Sequence, residues 1–172
     1  MSKRPIINIP DPVLRKLAAP IERVDAEVLR LADDMLESMY AAPGIGLAAP
    51  QVGVSRRLIV MDTGGDRAKP KPLIMINPQI MHLGPTTEAH EEGCLSIPDV
   101  KVEVERPTTL TVQFVDRSGK TQEMAVEGLM ATVVQHEIDH LDGRLIIDYL
   151  SRLKRDIIVR RFRKQARIEL SD

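Results

Sequence analysis

The sequence predicts an α+β fold, with short antiparallel or mixed β-sheets around a central helix and a further helix at the C-terminus. Closely spaced β-type runs fill residues 56–126, and helical patterns lie before and after them. Strands this close together leave no room for the crossover helices that parallel neighbours require. Helices and strands segregated along the chain in this way are typical of the α+β class.

The first helical pattern begins at Asp25, a residue type that caps helix N-termini. Six apolar residues then recur at helical spacing: Val28, Leu29, Ala32, Met35, Leu36 and Met39. The pattern ends at the turn signal Pro43-Gly44. We therefore predict a helix over residues 25–40.

The β-type runs are rich in β-branched and other apolar residues. The clearest are residues 58–61, 73–76 and 109–115, and residues 100–105 alternate apolar and charged side chains as a half-exposed strand does. A second helix is predicted over residues 127–141, with Gly143 placed to cap its C-terminus. A last helix begins after Ser151.

Length and composition favour one globular domain. The chain has 172 residues, of which 43% are hydrophobic and 28% charged, and domains run to about 100–200 residues. We expect residues 1–172 to form a single domain whose core, with two Tyr, two Phe and no Trp in the chain, is aliphatic and Met-rich. Few aromatic side chains argue against base stacking, and hence against DNA as a partner.

Three further features of the sequence indicate where in the cell the protein works. No apolar run approaches the roughly 20 residues of a membrane span, so we expect no membrane association. Cys94 is the single cysteine, which excludes an intramolecular disulfide and favours an intracellular setting. The N-terminus has neither a secretory signal nor the long Arg/Ser-rich pattern of an organellar transit peptide.

The second helix carries the pattern H-E-x-x-H at His136, Glu137 and His140. Residues four apart share a helix face, so both imidazoles can bind one metal ion, with Glu137 beside the ion's open position. Leu129 and Val133 continue the same stripe as an apolar wall. The alternative is a core stripe with two hydrogen-bonded histidines, but two histidines at this spacing around a glutamate favour the metal site.

A catalytic site of this kind uses three protein ligands and leaves one position for water. Downstream of His140 there is no further histidine and no acid in a convincing second helix motif, so we expect the third ligand upstream. Cys94 offers a thiolate there, and Gly93 permits close backbone approach at a bend. Alone, Cys94 would be interpreted as a buried structural residue. Beside the two histidines we interpret it as a ligand.

A third motif, Gly-Ile-Gly-Leu-Ala-Ala-Pro-Gln, occupies residues 44–51. Its two glycines let the backbone come close to a bound chain, so an extended substrate can pair with it as an added strand. Gln51 offers an amide N–H to a developing oxyanion. The motif has neither the dinucleotide-binding glycine pattern nor the Lys-Ser/Thr of a P-loop.

Residues 44–51, 92–96 and 135–143 closely resemble the three signature motifs of bacterial peptide deformylases in residues, order and approximate spacing. The resemblance implies a cytoplasmic hydrolase that removes the formyl group from N-formylmethionyl peptides and releases formate. The ligands of one divalent ion are then Cys94, His136 and His140. Glu137 takes a proton from water and later delivers it to the departing amine.

The same resemblance implies an oxyanion site made by the metal, the Gln51 side chain and the backbone N–H of Leu95. The residues expected to bind the substrate are Ile45, Gly46, Leu129 and Val133, with the methionine side chain against the three apolar ones. The candidates for orienting the ligands from behind are Gln135, Asp139 and Arg106.

The identity of the ion does not follow from the ligands. Two imidazoles and a thiolate suit Zn²⁺, Fe²⁺, Co²⁺ or Ni²⁺, and the residues alone would favour zinc. The resemblance implies Fe²⁺ as the physiological ion.

Two other functions remain open. A general H-E-x-x-H metallopeptidase would share the chemistry, although this chain has no downstream third ligand. A non-enzymatic, ribosome-associated metal-binding module would need a closed site with four protein ligands. His90 lies near enough to Cys94 in sequence to be that fourth ligand.

The C-terminal segment is strongly basic. Residues 152–167 hold eight basic side chains and one acid, Asp156, a net charge of +7; the whole chain carries −1, which leaves −8 on the remainder. One interpretation is a solvated amphipathic helix, over residues 152–168, that buries Leu153, Ile157 and Phe162. The other is a basic face that docks on a polyanion. With the family resemblance, the second interpretation predicts the ribosome as a partner, through its rRNA.

Overall fold

The computed structural model describes every residue, Met1–Asp172, and contains three α-helices and seven strands. The helices are α1 (Ala26–Ala41), α2 (Gly128–Leu141) and α3 (Arg152–Ser171). The strands are β1 (Gly46–Ala48), β2 (Leu58–Met61), β3 (Leu73–Leu83), β4 (Thr87–Cys94), β5 (Ile97–Pro107), β6 (Thr109–Val115) and β7 (Thr121–Glu127). Short 3-10 helices lie at Pro12–Arg15, Ala49–Val52 and Ile146–Tyr149.

The strands form two sheets. Five of them make one sheet in the order β1-β2-β3-β6-β7, and β4 and β5 make a separate two-stranded hairpin. Every pair is antiparallel. The predicted α+β fold with antiparallel or mixed sheets is therefore confirmed, and β1 is an edge strand whose outer side pairs with no other strand.

The β4–β5 hairpin departs from the sequence expectation in two ways. β4 is mostly polar, with only Glu92 buried, so it has no apolar alternation and is held by pairing with β5. The bend of the hairpin was expected at Gly93, but Cys94 pairs with Ile97, so the turn lies at Leu95 and Ser96. Gly93 instead lies inside β4, opposite Lys101.

The helix ends follow local rules. Oδ1 of Asp25 accepts a hydrogen bond from the Val28 amide at 2.9 Å and caps α1, as predicted. At the C-terminal end of α2, Gly143 has a φ of 73°, and its N–H donates to the His140 carbonyl at 3.2 Å. Gly143 thus marks the C-terminal end of α2, as its sequence position predicted.

Two hydrophobic clusters cover the two faces of the large sheet. One joins α2 to the sheet and includes Ile59, Met75, Phe114, Val134 and Leu141. The other joins α1 to the opposite face and includes Met35, Met39, Leu58 and Val60. Burial of these aliphatic and methionine side chains is the main favourable term in folding, and it makes the core aliphatic and Met-rich as expected.

The C-terminal helix α3 is held by few contacts. Phe162 is buried in a third cluster with β5 and the 3-10 helix Ile146–Tyr149, but Leu153 and Ile157 are 72% and 57% exposed. The expectation that all three are buried is wrong, because Leu153 and Ile157 share a face and Phe162, five residues on, lies on the opposite side. No helix in the structure combines the length and the apolar character that a membrane crossing requires.

Candidate active site

The site is built where α2 lies between the edge of the large sheet and the hairpin. α2 contacts β1, β5 and the 3-10 helix Ala49–Val52. This packing brings the three sequence motifs together, since the first contains β1, the second ends β4 and the third lies on α2.

Cys94, His136 and His140 converge at this point. One potential ligand atom from each lies within 4.8 Å of the others, and Sγ of Cys94 is 3.3 Å from Nε2 of His140. The two imidazole rings have centroids 5.0 Å apart at an angle of 66°. A thiolate and two imidazoles in this arrangement fit the three-ligand pattern of a catalytic divalent metal site.

Glu92, to which the sequence assigned no role, orients His136. Its Oε1 lies 3.0 Å from Nδ1 of His136, and a carboxylate only accepts, so Nδ1 donates and Nε2 is left for a metal. Burial alone would raise the pKa of Glu92, but hydrogen bonds from His136 and Arg106 outweigh it and lower the pKa below its ordinary value. Glu92 is therefore an anion at neutral pH.

Arg106 holds Glu92 in place from behind. Its guanidinium donates to both carboxylate oxygens of Glu92, at 2.6 and 2.9 Å, and to Oδ2 of Asp139 at 3.0 Å. The Tyr149 hydroxyl donates to the same Asp139 oxygen at 2.6 Å. Four charged or polar side chains thus form one network, buried at Glu92 and Arg106 and exposed at Tyr149, that ends on His136.

Gln135 was a candidate for orienting the ligands, and His90 was the candidate for a fourth ligand. Gln135 donates to the backbone carbonyls of Pro107 and Ala131, both at 3.0 Å, and so ties α2 to β5. His90 is exposed on β4, with Nε2 3.0 Å from Glu88, and is not one of the three converging ligand residues. The fourth ligand that a closed site would need is therefore not supplied by His90.

Glu137 is buried beside the ligands, with 4% of its surface exposed. Burial raises its pKa to about 7. Its Oε2 has no hydrogen-bond partner in the chain. A carboxyl group in this state exchanges a proton near neutral pH.

The first motif lies directly against these groups. A Cβ on Gly46 would stand 2.5 Å from Oε1 of Glu137 and 2.9 Å from Cγ1 of Val133. A Cβ on Gly44 would stand 2.7 Å from Cδ1 of Leu95. The two glycines thus allow the edge of the sheet to contact both the second and third motifs.

Gln51 is 1% exposed, and its side-chain amide has a fixed orientation. Oε1 accepts from the Ala48 amide at 2.9 Å, so Nε2 points the other way, 3.1 Å from Oγ of Ser96 and 3.7 Å from Sγ of Cys94. The donor that the sequence suggested therefore reaches the ligand cluster. Leu95 lies in the turn between Cys94 and Ser96.

The three apolar residues expected to line the substrate pocket differ in how exposed they are. Val133 is 6% exposed and contacts Gly46, whereas Ile45 and Leu129 are 40% and 56% exposed. Leu129 lies one helical turn before Val133 on α2, and Ile45 directly precedes the Gly46 that Val133 contacts, so both exposed side chains adjoin the buried valine or its contact in the sequence.

Comparison with known proteins gives the family. The polypeptide deformylase family model matches residues 3–156. The chain is 56% identical over 170 residues to a peptide deformylase of Agrobacterium fabrum, with 99% of this chain and 100% of the relative covered.

Solved structures agree. A peptide deformylase from Legionella pneumophila has 43% identity and a TM-score of 0.88 over 99% of both chains. A peptide deformylase from Ehrlichia chaffeensis in complex with actinonin has 37% identity and a TM-score of 0.89 over 96% of this chain and 98% of the other. Since the family model spans most of the sequence and these relatives align over nearly all of it, the chain belongs to the polypeptide deformylase family.

Proposed function

We propose that this chain is a metal-dependent hydrolase that removes the N-formyl group from the N-terminal formylmethionine of newly made peptides and releases formate. Membership of the deformylase family gives the reaction. The observation that carries the site is the convergence of Cys94, His136 and His140 beside the buried carboxyl of Glu137.

The three ligand residues fit one divalent ion. Glu92 occupies Nδ1 of His136, so the other ring nitrogen is available as a ligand, and a thiolate with two imidazoles suits Fe²⁺, Zn²⁺, Co²⁺ or Ni²⁺. We propose Fe²⁺ as the physiological ion. When bound, such an ion supplies Lewis acidity towards a carbonyl oxygen and towards water.

Glu137 moves the protons. Its pKa of about 7 and its free Oε2 allow it to accept a proton from the attacking water and then donate it to the departing amine. Both transfers can occur at the same atom because burial keeps the carboxyl group in one place, between α2 and β1.

Gln51 and Leu95 stabilise the oxyanion that the formyl oxygen becomes. The Gln51 amide is preorganised, because its Oε1 is held by Ala48 and its Nε2 donors face the ligand cluster. The Leu95 backbone N–H is the second donor. Loss of one such donor typically removes about 3–4 kcal/mol of transition-state stabilisation.

The methionine side chain lies against Ile45, Leu129 and Val133, with Gly46 beside the peptide backbone. Ile45 and Leu129 are exposed, so a substrate side chain can cover them. Val133 is buried and would form the floor of the binding surface. The unpaired outer side of β1 suits an extended peptide that adds as a strand.

The deciding experiment compares formyl-Met-Ala-Ser with Met-Ala-Ser, with metal content measured on the same sample. Formate release from the first peptide and no cleavage of the second is the expected result. Cleavage of the unformylated peptide would favour a general metallopeptidase, and four protein ligands by spectroscopy would favour a closed metal-binding module. A third arm with formyl-Gly-Ala-Ser tests the apolar wall, since burying a methionine-sized chain contributes about 1.5–3 kcal/mol.

We also propose that residues 1–172 act as one catalytic domain in the bacterial cytoplasm, with the ribosome as a partner of α3. Phe162 packs with Ile9 and Leu145 in one cluster, which supports a helix integral to the domain. Apart from the half-buried Arg155, the basic side chains of residues 152–167 are exposed, which supports contact with rRNA phosphates.

A further inference from the structure

The loop between β2 and β3, residues 62–72, is fastened to the segment that precedes the sheet edge. The Asp62 amide donates to the Ile45 carbonyl at 2.9 Å and so extends the pairing of β1 with β2 by one residue. The hydroxyl of Tyr40, at the end of α1, donates to Oδ2 of Asp62 at 2.6 Å. Asp62 is thereby tied both to the edge strand and to the first helix.

The rest of the loop is organised around the same carboxylate. The Gly64 amide donates to Oδ1 of Asp62 at 3.0 Å, and the Lys71 amide donates to Oδ2 at 2.9 Å. Both ends of the loop are therefore held at one residue. Arg67, in the middle of the loop, is presented back towards α1 and the first motif.

Arg67 links the loop to both Gly44 and Tyr40. Its Nη2 donates to the carbonyl of Gly44 at 3.0 Å, and its guanidinium lies over the Tyr40 ring, 5.2 Å from the centroid. A planar guanidinium can stack on an aromatic ring and donate in its own plane at the same time, which the ammonium of lysine cannot do. The side chain is otherwise exposed and makes no ion pair in the structure.

The segment that Arg67 holds is the one that meets the reaction centre. Gly44 contacts Leu95, and Gly46 contacts Glu137. Apart from the Asp62–Ile45 bond, the pairing with β2 and the bond from the Gly44 amide to the Met39 carbonyl at 2.8 Å, the segment has the free edge of the sheet on its other side. Its position is therefore sensitive to any contact that fixes Gly44.

We infer that Arg67, through its bond to Gly44 and its stacking on Tyr40, is a positioning residue that sets the edge on which the peptide substrate pairs. The inference rests on the proposed function, in which an extended peptide adds to β1. Arg67 acts on peptide binding rather than on proton transfer, because it bonds to Gly44, whereas Glu137 lies against Gly46, which is held separately by its pairing with Met61 of β2. Its removal should raise KM and leave kcat nearly unchanged.

The test uses the full-length, metal-loaded enzyme with formyl-Met-Ala-Ser. Arg67→Ala should raise KM roughly three- to tenfold with kcat within about twofold of the wild type, as expected for loss of one charge-assisted bond at a partly solvated position. Arg67→Lys keeps a donor without the stacking and should recover part of the loss. Arg56→Ala is the matched control, since the Arg56 side chain is 42% exposed and makes a single ion pair, to Glu27 at 3.5 Å.

A second measurement does not depend on activity. Hydrogen exchange of the amides of residues 44–48 should be faster in Arg67→Ala than in Arg56→Ala. Unchanged exchange together with an unchanged KM would overturn the role of Arg67. Faster exchange in an enzyme whose wild type releases no formate would leave the positioning role standing and overturn the proposed function instead.

Discussion

Gly46 lies so close to Glu137 that a Cβ on the glycine would stand 2.5 Å from the carboxylate Oε1. The edge of the sheet and the proposed proton carrier are thus fixed against each other, although they lie 91 positions apart in the sequence. Any side chain at Gly46 must displace Glu137 or Val133, whose Cγ1 would be 2.9 Å away.

Gly46→Ala should therefore reduce formate release while metal binding is retained. A displacement of about 1 Å in a catalytic group can reduce the rate by roughly 10². The three atoms nearest to that Cβ belong to Glu137 and Val133 and not to a ligand residue, so metal content should stay near one ion per chain. Wild-type kcat/KM in a folded Gly46→Ala enzyme would contradict the close approach.

Glu137→Gln should separate proton transfer from metal binding. The amide has nearly the same shape and leaves Cys94, His136 and His140 in place, but it cannot accept or deliver the proton. Turnover of formyl-Met-Ala-Ser should fall by about 10² or more. Metal analysis is the control, and near wild-type turnover in a metal-loaded variant would show that another group is the base.

Glu92→Ala should destabilise the fold and weaken metal binding together. It leaves the Arg106 guanidinium, 6% exposed, without its main partner, and removing one member of a buried ion pair typically costs about 3–5 kcal/mol. Loss of the hydrogen bond to His136 should reduce metal affinity by about 10–100-fold.

Tyr149→Phe is the matched control for that variant. It removes one hydroxyl at the far end of the same network, the donor to Asp139, and leaves the contact between Glu92 and His136 intact. Its unfolding free energy should fall by less than that of Glu92→Ala, and its metal affinity should stay near the wild-type value. Equal losses in the two variants would mean that Glu92 acts on the fold alone.

The features that the sequence predicted correctly are those that depend on residues close together in the chain. His136, Glu137 and His140 could be placed because helical spacing alone puts them on neighbouring positions of one face. The cap at Asp25 and the end of α2 at Gly143 follow from equally local rules. The α+β class follows from the spacing of the strands.

Contacts across the hairpin were not predictable in the same way. Glu92 meets His136 only because β4 is laid against α2, and its one sequence signal is an acid two positions before the ligand cysteine. β4 itself has no apolar alternation, since its pairing with β5 stabilises it. Arg67 is one of many surface arginines until Tyr40 and Gly44 are seen beside it.

Acid should weaken the attachment of the N-terminus to α1. The Ser2 amide donates to Asp34 at 2.8 Å and Arg4 pairs with the same carboxylate at 3.0 Å, which together lower the pKa of Asp34 below its ordinary value of 3.8 despite burial. A lowered pKa contributes stability at pH values above 3.8, and that stability is lost as the pH falls through the folded-state pKa.

Asp34→Asn should therefore be less stable than the wild type at pH 7, by about 1 kcal/mol, and the gap should close as the pH falls below 3.8. Denaturant unfolding at a series of pH values measures both curves. Parallel curves across the acid range would remove Asp34 from the pH dependence.

The basic face of α3 should bind ribosomes through phosphate contacts. Truncation after Ser151 would also remove the buried Phe162, so the sharper variant replaces the exposed Arg160, Lys164 and Arg167 by Glu and leaves the packing intact. Co-sedimentation with ribosomes should be lost in this variant and should weaken steeply with salt in the wild type, because binding to phosphates releases counterions.

The matched control replaces three exposed basic residues elsewhere, Arg23, Arg30 and Lys120, by Glu. It carries the same change in net charge, and so it separates a docking face from general electrostatic attraction. Turnover of a short formyl peptide should be near the wild-type rate in both variants, since neither set of residues contacts the metal site. Equal pelleting of the α3 variant and the wild type would leave α3 as a solvated helix, and equal loss in both variants would mean that net charge alone governs binding.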